Sequence, residues 1–331
     1  MNGKKMLALS PAPHIQARQD TASIMKQVVI ALIPAQCWAV YIFGFGALLM
    51  TLESIVCCVG FEWACRRILK RPQTAGDWSA AVTGAILAMG LPAGTPLWMI
   101  AIGAFAAIVV TKQLFGGIGQ NFANPALVGR TVLFFSYQGR MQTFIVTPRM
   151  SQVMINAAGG PNAMLSSDAV SGATPLALFS NARALPSNTE MFLGLINGSI
   201  GEISALALLI GGVYLCARKI ISPVIPLSYM AAVMVMAAFW GFDPVFHVCA
   251  GGVMLAAFFM ATDYTTSPML PAGKLIYGIG CGMLTMYFRI YTSYPEGVST
   301  AMLFMNLLTP QIDRLTVGMR MKRTMNGRTA A

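Results

Sequence analysis

Charge is scarce in this chain. Of 331 residues only 22 are Lys or Arg and 11 are Asp or Glu, about 10% in all, against roughly 25% in ordinary soluble domains. That excludes a globule kept dispersed by a charged shell, because 24 Met and 18 Phe cannot supply one. Histidine is nearly missing, with 2 residues, and the 7 cysteines (37, 57, 58, 65, 216, 249 and 281) include no C-x-x-C pair and no Cys/His cluster. A zinc or iron–sulfur centre is therefore not expected, and cysteines seated in apolar runs read as small buried hydrophobes. No catalytic triad or P-loop occurs. GGIGQNF at 116–122 has glycines but no preceding strand and no complete dinucleotide fingerprint, so NAD is expected to bind elsewhere. The net charge is +11, yet no stretch interleaves basic with aromatic residues, and nucleic acid is not an expected partner.

What the chain has in quantity is apolar sequence, 56% of it. A helix needs ~20 such residues to cross a bilayer. Residues 27–65 form a nearly uncharged run too long for one crossing and suited to two helices turning near Gly44 and Gly46. Further apolar segments follow at 80–91, 97–113, 123–137, 203–217, 224–240, 246–262, 275–291 and 298–310, which makes ten. The opening MNGKKMLALSPAPH has only a short apolar stretch before Pro11 and Pro13, so a cleavable signal is not expected.

With the N-terminus inside, most basic residues fall on the cytoplasmic side: Lys4, Lys5, Arg18, Lys26, Arg66, Arg67, Lys70, Arg71, Lys112, Arg218, Lys219, Lys274, Arg314, Arg320, Lys322, Arg323 and Arg328. Only Arg140, Arg149 and Arg183 fall outside. The positive-inside rule then puts both termini in the cytoplasm.

Two segments look too short or broken to span: 80–91, closed by Pro92, Gly94 and Pro96, and 298–310, closed by Pro310. Each falls in one half. Five helices per half is an odd number, so the halves would lie in opposite orientations, with interrupted helices meeting near the midplane. The expected fold is an all-α polytopic membrane protein of about ten transmembrane helices, a five-plus-five inverted repeat with broken helices. Its parts are a cytoplasmic tail over 1–26, a first half over 27–137, an extracytoplasmic loop subdomain over 138–200, a second half over 201–310 and a cytoplasmic tail over 311–331.

The long outer loop carries SSDAVSGATPLALF at 166–179. In Ser171-Gly172-Ala173-Thr174 small neighbours leave a hydroxyl unobstructed, and amides beside Gly172 can turn toward an anion, which suits a phosphate held at Thr174. Equally, Thr174 can cap a short helix opening at Pro175. The residues alone leave both readings open.

Ionisable groups in the lipid zone cost ~2.5–3.5 kcal/mol each and need a reason. Glu53 reads either as an ion or proton stop or as a neutral hydrogen-bonded carboxyl. Asp263, in ATDYTTSP, directly follows an apolar run and stands between hydroxyls that could share a cation. Asp77, Asn121, Asn124, Arg130, Glu202, Asp243, His247 and Glu296 read as caps or interfacial pairs. Neither His14 nor His247 reads as a metal ligand. Trp78, Trp98, Trp240, Tyr264 and Tyr291 suit the membrane interface better than stacking on a ring system.

DAVSGATPL resembles the flavinylation motif of membrane flavoproteins, in which a dedicated transferase links FMN through its phosphate to the threonine hydroxyl. SPAPH, GDWSAAVTGAILAMGLP, FANPALVGR, NGSIGEISALALLIGG, FFMATDYTTSP, GKLIYGIGCGMLT and YPEGVSTAMLFMNLLTPQIDR resemble, almost end to end, the D subunit of the Rnf ion-translocating ferredoxin:NAD oxidoreductase. The chain is similar at greater distance to the B subunit of the sodium-translocating NADH:quinone oxidoreductase, which generally has a longer N-terminal extension. The resemblance implies Thr174 as the covalent FMN anchor, with Asp168, Ser171, Gly172 and Ala173 as the motif that the transferase reads. No catalytic side chain and no metal ligand is expected from the residues themselves. The resemblance further implies electron relay coupled to Na⁺ or H⁺ movement, the A, B, C, E and G subunits of the Rnf complex as partners, and a bacterial or archaeal cytoplasmic membrane with the FMN loop outside. A second, non-covalent flavin such as riboflavin is compatible with the family, and the sequence names no residues for it. A small-solute transporter or channel, or a scaffold without a cofactor, are the competing readings of the same helical pattern.

Overall fold

The computed structural model describes residues 20–144, 174–181, 185–292 and 296–329. Helix α1 (Thr21–Phe43) opens at Asp20, whose carboxylate accepts the Thr21 amide at 2.8 Å, and stops at Gly44, where φ is 80°. That left-handed position reverses the chain into α2 (Phe45–Ile68), so the long apolar run splits at Gly44 as expected. Next come α3 (Ser79–Met89) and α4 (Leu97–Gln113), whose second half, from Ala106, is π-helical. Asn124 caps α5 (Pro125–Ser136) by accepting the Ala126 and Leu127 amides. Two short helices lie further on, α6 (Pro175–Ser180) and α7 (Asn188–Leu193), the latter opened by a Ser187/Glu190 capping box.

Further along the chain are α8 (Ala205–Ala217), α9 (Val224–Phe239), α10 (Pro244–Cys249), α11 (Val253–Leu255, continued by π turns over Ala256–Met260), α12 (Pro271–Tyr291) and α13 (Val298–Thr329). Two expectations are corrected. The run at 246–262 is not one helix: it breaks between α10 and α11, where Gly251 and Gly252 take φ of 60° and 72°. The helix opening at 298 does not close at Pro310 but carries it inside and runs to Thr329. Proline removes one ladder bond, and Thr309 restrains the turn beside it by donating to the carbonyls of Thr266 and Met305.

The described residues are helical, with a single isolated bridge between Pro92 and Ser199. Two helices, α1 and α2, are long and apolar enough to cross a bilayer by themselves; five further apolar helices have 10–17 residues. The short α3 is wholly buried and ends in irregular backbone. There the Ile200 amide donates to the Leu91 carbonyl at 3.0 Å and the Gly201 amide to that of Met89 at 2.8 Å. Non-helical backbone at such depth is tolerated only where protein satisfies it.

Polarity is inverted relative to a soluble protein. Val56, Val235 and Phe239 are 68%, 68% and 81% exposed, while Glu62, Lys112, Arg130 and Arg289 are buried. An apolar exterior around a charged interior is stable in lipid, not in water. Helices approach closely where side chains vanish: a Cβ on Gly84 would lie 2.7 Å from the Cα of Ile55, and one on Gly211 would strike the Ala31 carbonyl. Small residues at crossings are the membrane solution to packing.

Candidate functional site

Glu62 on α2 organises the first buried polar cluster. It has no exposed surface, and Lys112 donates to its Oε2 at 2.9 Å, Gln113 and Thr74 to its Oε1 at 3.0 and 2.8 Å. Arg66, one turn on, lies 3.8 Å away. Lys112 also reaches the Ser79 hydroxyl at 2.5 Å, and that hydroxyl donates to Asp77 at 2.6 Å. Thr111, Lys112 and Gln113, in the π-helical part of α4, are buried in succession. Lys112, counted among the inward-facing basic residues at the end of the 97–113 segment, is 2% exposed.

Lys112 and Ser79 reach one wall of a cavity of about 330 Å³ between α1, α3, α8 and the connection that follows α11. The walls are mostly apolar, with Val82, Ile86 and Phe259 among them, while Asn121, Asn124 and Asp263 supply polar groups. Asp263 accepts from the hydroxyls of Thr265 at 3.0 Å and Thr266 at 3.4 Å, so its hydroxyl neighbours serve as donors to it. Asn121 donates to Thr265 at 3.2 Å, and its Oδ1 is buried without a partner. Volume and lining both fall within the range of small-molecule sites, ~300–1,000 Å³ with a few placed polar groups.

The second cluster lies beside α6. Arg130 on α5 donates through one nitrogen to Glu202 Oε1 and to Glu296 Oε2, each at 2.8 Å, and through the other to Ser299 at 3.3 Å. Arg289 on α12 is spent on the backbone carbonyls of His247 and Ala250 at 2.6 and 2.7 Å. Thr174 is the cap of α6 and accepts the Ala177 amide at 3.2 Å. It shares a small pocket with Asn197, Glu202, Gly251 and Glu296.

Other expected positions separate. Asp168, Ser171, Gly172 and Ala173 lie outside the described residues. Glu53 is half-buried on α2, apart from both clusters, and among the described residues its Oε2 has no partner. Asp243 caps α10 and Asp77 bonds the first amide of α3, as read from their positions. Sequence reasoning missed Glu62 altogether, although a carboxylate in a helix four residues before Arg66 was a visible cue. Among the described residues no three of His, Cys, Asp and Glu gather as a metal site.

Fold and clusters together define a polytopic helical membrane protein that keeps charge networks and a ligand-sized cavity inside an apolar shell. The NQR2, RnfD, RnfE family matches over residues 8–322, and the chain belongs to that family. It is 46% identical, over 94% of its length and 93% of the relative's, to the D subunit of the Na⁺-translocating ferredoxin:NAD⁺ oxidoreductase complex of Acetobacterium woodii. It is 38% identical to the D subunit of the proton-translocating ferredoxin:NAD⁺ oxidoreductase complex of Clostridium ljungdahlii, over 95% of each chain. It is 37% identical to the D subunit of an ion-translocating oxidoreductase complex of Halorhodospira halophila, over 93% of each.

Proposed function

We propose that this chain is the D-type membrane subunit of an ion-translocating ferredoxin:NAD⁺ oxidoreductase, an electron-transfer component of a larger enzyme. The observation that carries the reading is similarity along nearly the whole chain to proteins so named. Those two names differ in the ion, sodium in one and protons in the other, so the ion moved by this chain is not carried over with the family.

Thr174 is the proposed anchor for covalent FMN, which when bound supplies reversible electron acceptance. The residues fit: Thr174 Oγ accepts the Ala177 amide, and an ester oxygen keeps that acceptor capacity after its proton is replaced by phosphorus. The 330 Å³ cavity is the proposed seat of a second, non-covalent flavin. Val82, Ile86 and Phe259 would exclude water from it, and Lys112, Ser79 and the unpartnered Asn121 Oδ1 would orient its polar edge. Asp263 and Glu53 are the proposed ion-pathway carboxylates. The proposed architecture remains a five-plus-five inverted repeat of about ten spans with both termini cytoplasmic and Thr174 outside; a flavin transferase and the other Rnf subunits are the proposed partners.

The test is expression with a flavin transferase, followed by a denaturing gel under ultraviolet light and an intact-mass measurement. Fluorescence that survives denaturation in the wild type and vanishes in Thr174→Val, with a mass increment of one esterified FMN, is the expected result. A colourless, unmodified wild-type chain would favour a transporter with the same helices. For the second site, the Thr174→Val protein is expected to release flavin on acid extraction and Asn121→Leu to reduce that yield; no released flavin from Thr174→Val would remove the cavity as a flavin seat.

A further inference from the structure

The Arg130 cluster is short of positive charge at contact distance. A single guanidinium nitrogen serves two carboxylates, Glu202 and Glu296, each at 2.8 Å. The second guanidinium in the neighbourhood, Arg289, donates from both terminal nitrogens to the carbonyls of His247 and Ala250, and among the described residues it has no ion pair within 4.0 Å. Glu202 and Arg130 are buried, and the Glu296 side chain is 23% exposed, so water screens the pair weakly. Two carboxylates sharing one counter-charge do not both ionise freely, and the second proton is held more tightly.

A second observation points the same way. Asn197, 8% exposed, lines the pocket with Glu202, Glu296 and Thr174, and among the described residues its Oδ1 has no hydrogen-bond partner. Ser199 Oγ, two residues on, is also buried without one. Ionised carboxylates only accept, so they cannot satisfy an amide oxygen; a carboxylic acid or a water can. The pocket holds about 10 Å³, roughly the room for one water. A metal ion is disfavoured there, because it would share the two carboxylates with the Arg130 guanidinium.

We infer that Glu202 and Glu296 form a binding site for one exchangeable proton, bridged by a water to Asn197, and that this site neutralises charge arriving on the group carried by Thr174. The inference rests on the proposed flavinylation of Thr174 for its redox half, not for the proton site itself. The step balances. When one electron, supplied by the electron-donating partner in the complex, reaches the Thr174 group, Glu296 takes one proton from water; when the electron leaves, the O–H bond breaks and the proton returns. The groups facing Glu296 are Arg130 from α5, Glu202 from the segment before α8, Arg289 from α12 and Ser299 from α13. Of these effects, burial dominates and Glu202 adds to it, outweighing the arginines and holding the Glu296 carboxyl above the usual range.

The experiment uses the assembled complex and two kinds of infrared difference spectra. A pH-difference spectrum without redox change should show a carboxylic C=O band that shifts in heavy water and is lost in Glu296→Gln. A redox-difference spectrum at fixed pH should show the same band gained on reduction. Glu202→Gln should shift the band rather than abolish it, and gel fluorescence confirms that each variant retains its flavin. Absence of the band from both spectra of the wild type, or its full retention in Glu296→Gln, overturns the proton site. A band that titrates but ignores reduction of a flavinylated protein overturns only the linkage. A wild type without gel fluorescence that still shows the titrating band would refute the flavin reading and leave the proton site standing. A response to Na⁺ at constant pH that replaces the band would assign a metal cation instead and also overturn the inference.

Discussion

At the residue scale, the stability of the interior turns on charges that have no water to fall back on. Glu62 has one ammonium, one amide and one hydroxyl donating to it and no exposed surface. Removing one member of such a pair leaves the other uncompensated, at a cost of about 3–5 kcal/mol, whereas replacing both by apolar groups is often neutral. Lys112→Met is therefore expected to lower the thermal midpoint in detergent sharply, and Glu62→Met combined with Lys112→Met to recover most of the loss. Equal destabilisation by the single and double variants would mean that packing, not charge, governs the cluster. Asp243 offers a pH-dependent case outside the spans. Asn188 donates to it at 2.6 Å, and this bond, with the Val245 and Phe246 amides, holds its carboxyl below the usual range. A depressed acid contributes stability above its unfolded value of ~3.9, and loses it as pH falls through the lower folded value. Hydrogen exchange in the first turn of α10 should accelerate only below that range, and Asn188→Ala should move the onset to higher pH. An onset unmoved by Asn188→Ala would remove that bond as the cause.

At the scale of elements, glycine separates helix crossings from open faces. A Cβ at Gly84 would meet the α2 backbone, while one at Gly60 meets nothing within 4 Å. Overpacking costs about 1–3 kcal/mol, and glycine inside a helix gives up ~1 kcal/mol relative to alanine. Gly84→Val should reduce the yield of monodisperse protein, and Gly60→Ala should leave it unchanged or raise it; losses from both would locate a partner surface at Gly60. The sequence also shows how far elements can be read without coordinates. The break at Gly44, the Asn124 and Asp243 caps and the extent of α4 were legible, because turn and cap chemistry is local. The π-helical stretches, the break at Gly251 and Gly252 and the passage of α13 through Pro310 were not, because tertiary contacts such as the Thr309 bond to Thr266 decide them. The same holds for the site. Thr174 stands out through its neighbours in sequence, but Arg130 meets Glu202 and Glu296 across 72 and 166 residues, a separation over which one sequence carries no pairing signal.

For the whole molecule, orientation decides whether these parts add up to one device. Basic residues crowd the segments on one side of the expected topology, and that bias sets orientation during insertion. Arg66 and Lys112 show its limit, since both are buried in the Glu62 cluster rather than free in a loop. Removing them from the expected tally still leaves fifteen basic residues on the inner side, Arg67, Lys70, Arg71, Arg218 and Lys219 among them, against Arg140, Arg149 and Arg183 on the outer. In the proposed topology an odd number of membrane passages between α2 and α6 separates Lys70 from α6. Lys70 and Ser180 are both exposed, at the ends of α2 and α6, which makes them suitable reporters. In intact cells an impermeant maleimide should label Ser180→Cys at once and Lys70→Cys only after lysis, each measured against the parent chain, whose Cys37 is also exposed. The reverse pattern would put Thr174 and the Arg130 cluster on the cytoplasmic side. A proton released from Glu296 would then enter the cell rather than leave it, so the sign of any charge movement coupled to Thr174 depends on this one labelling result.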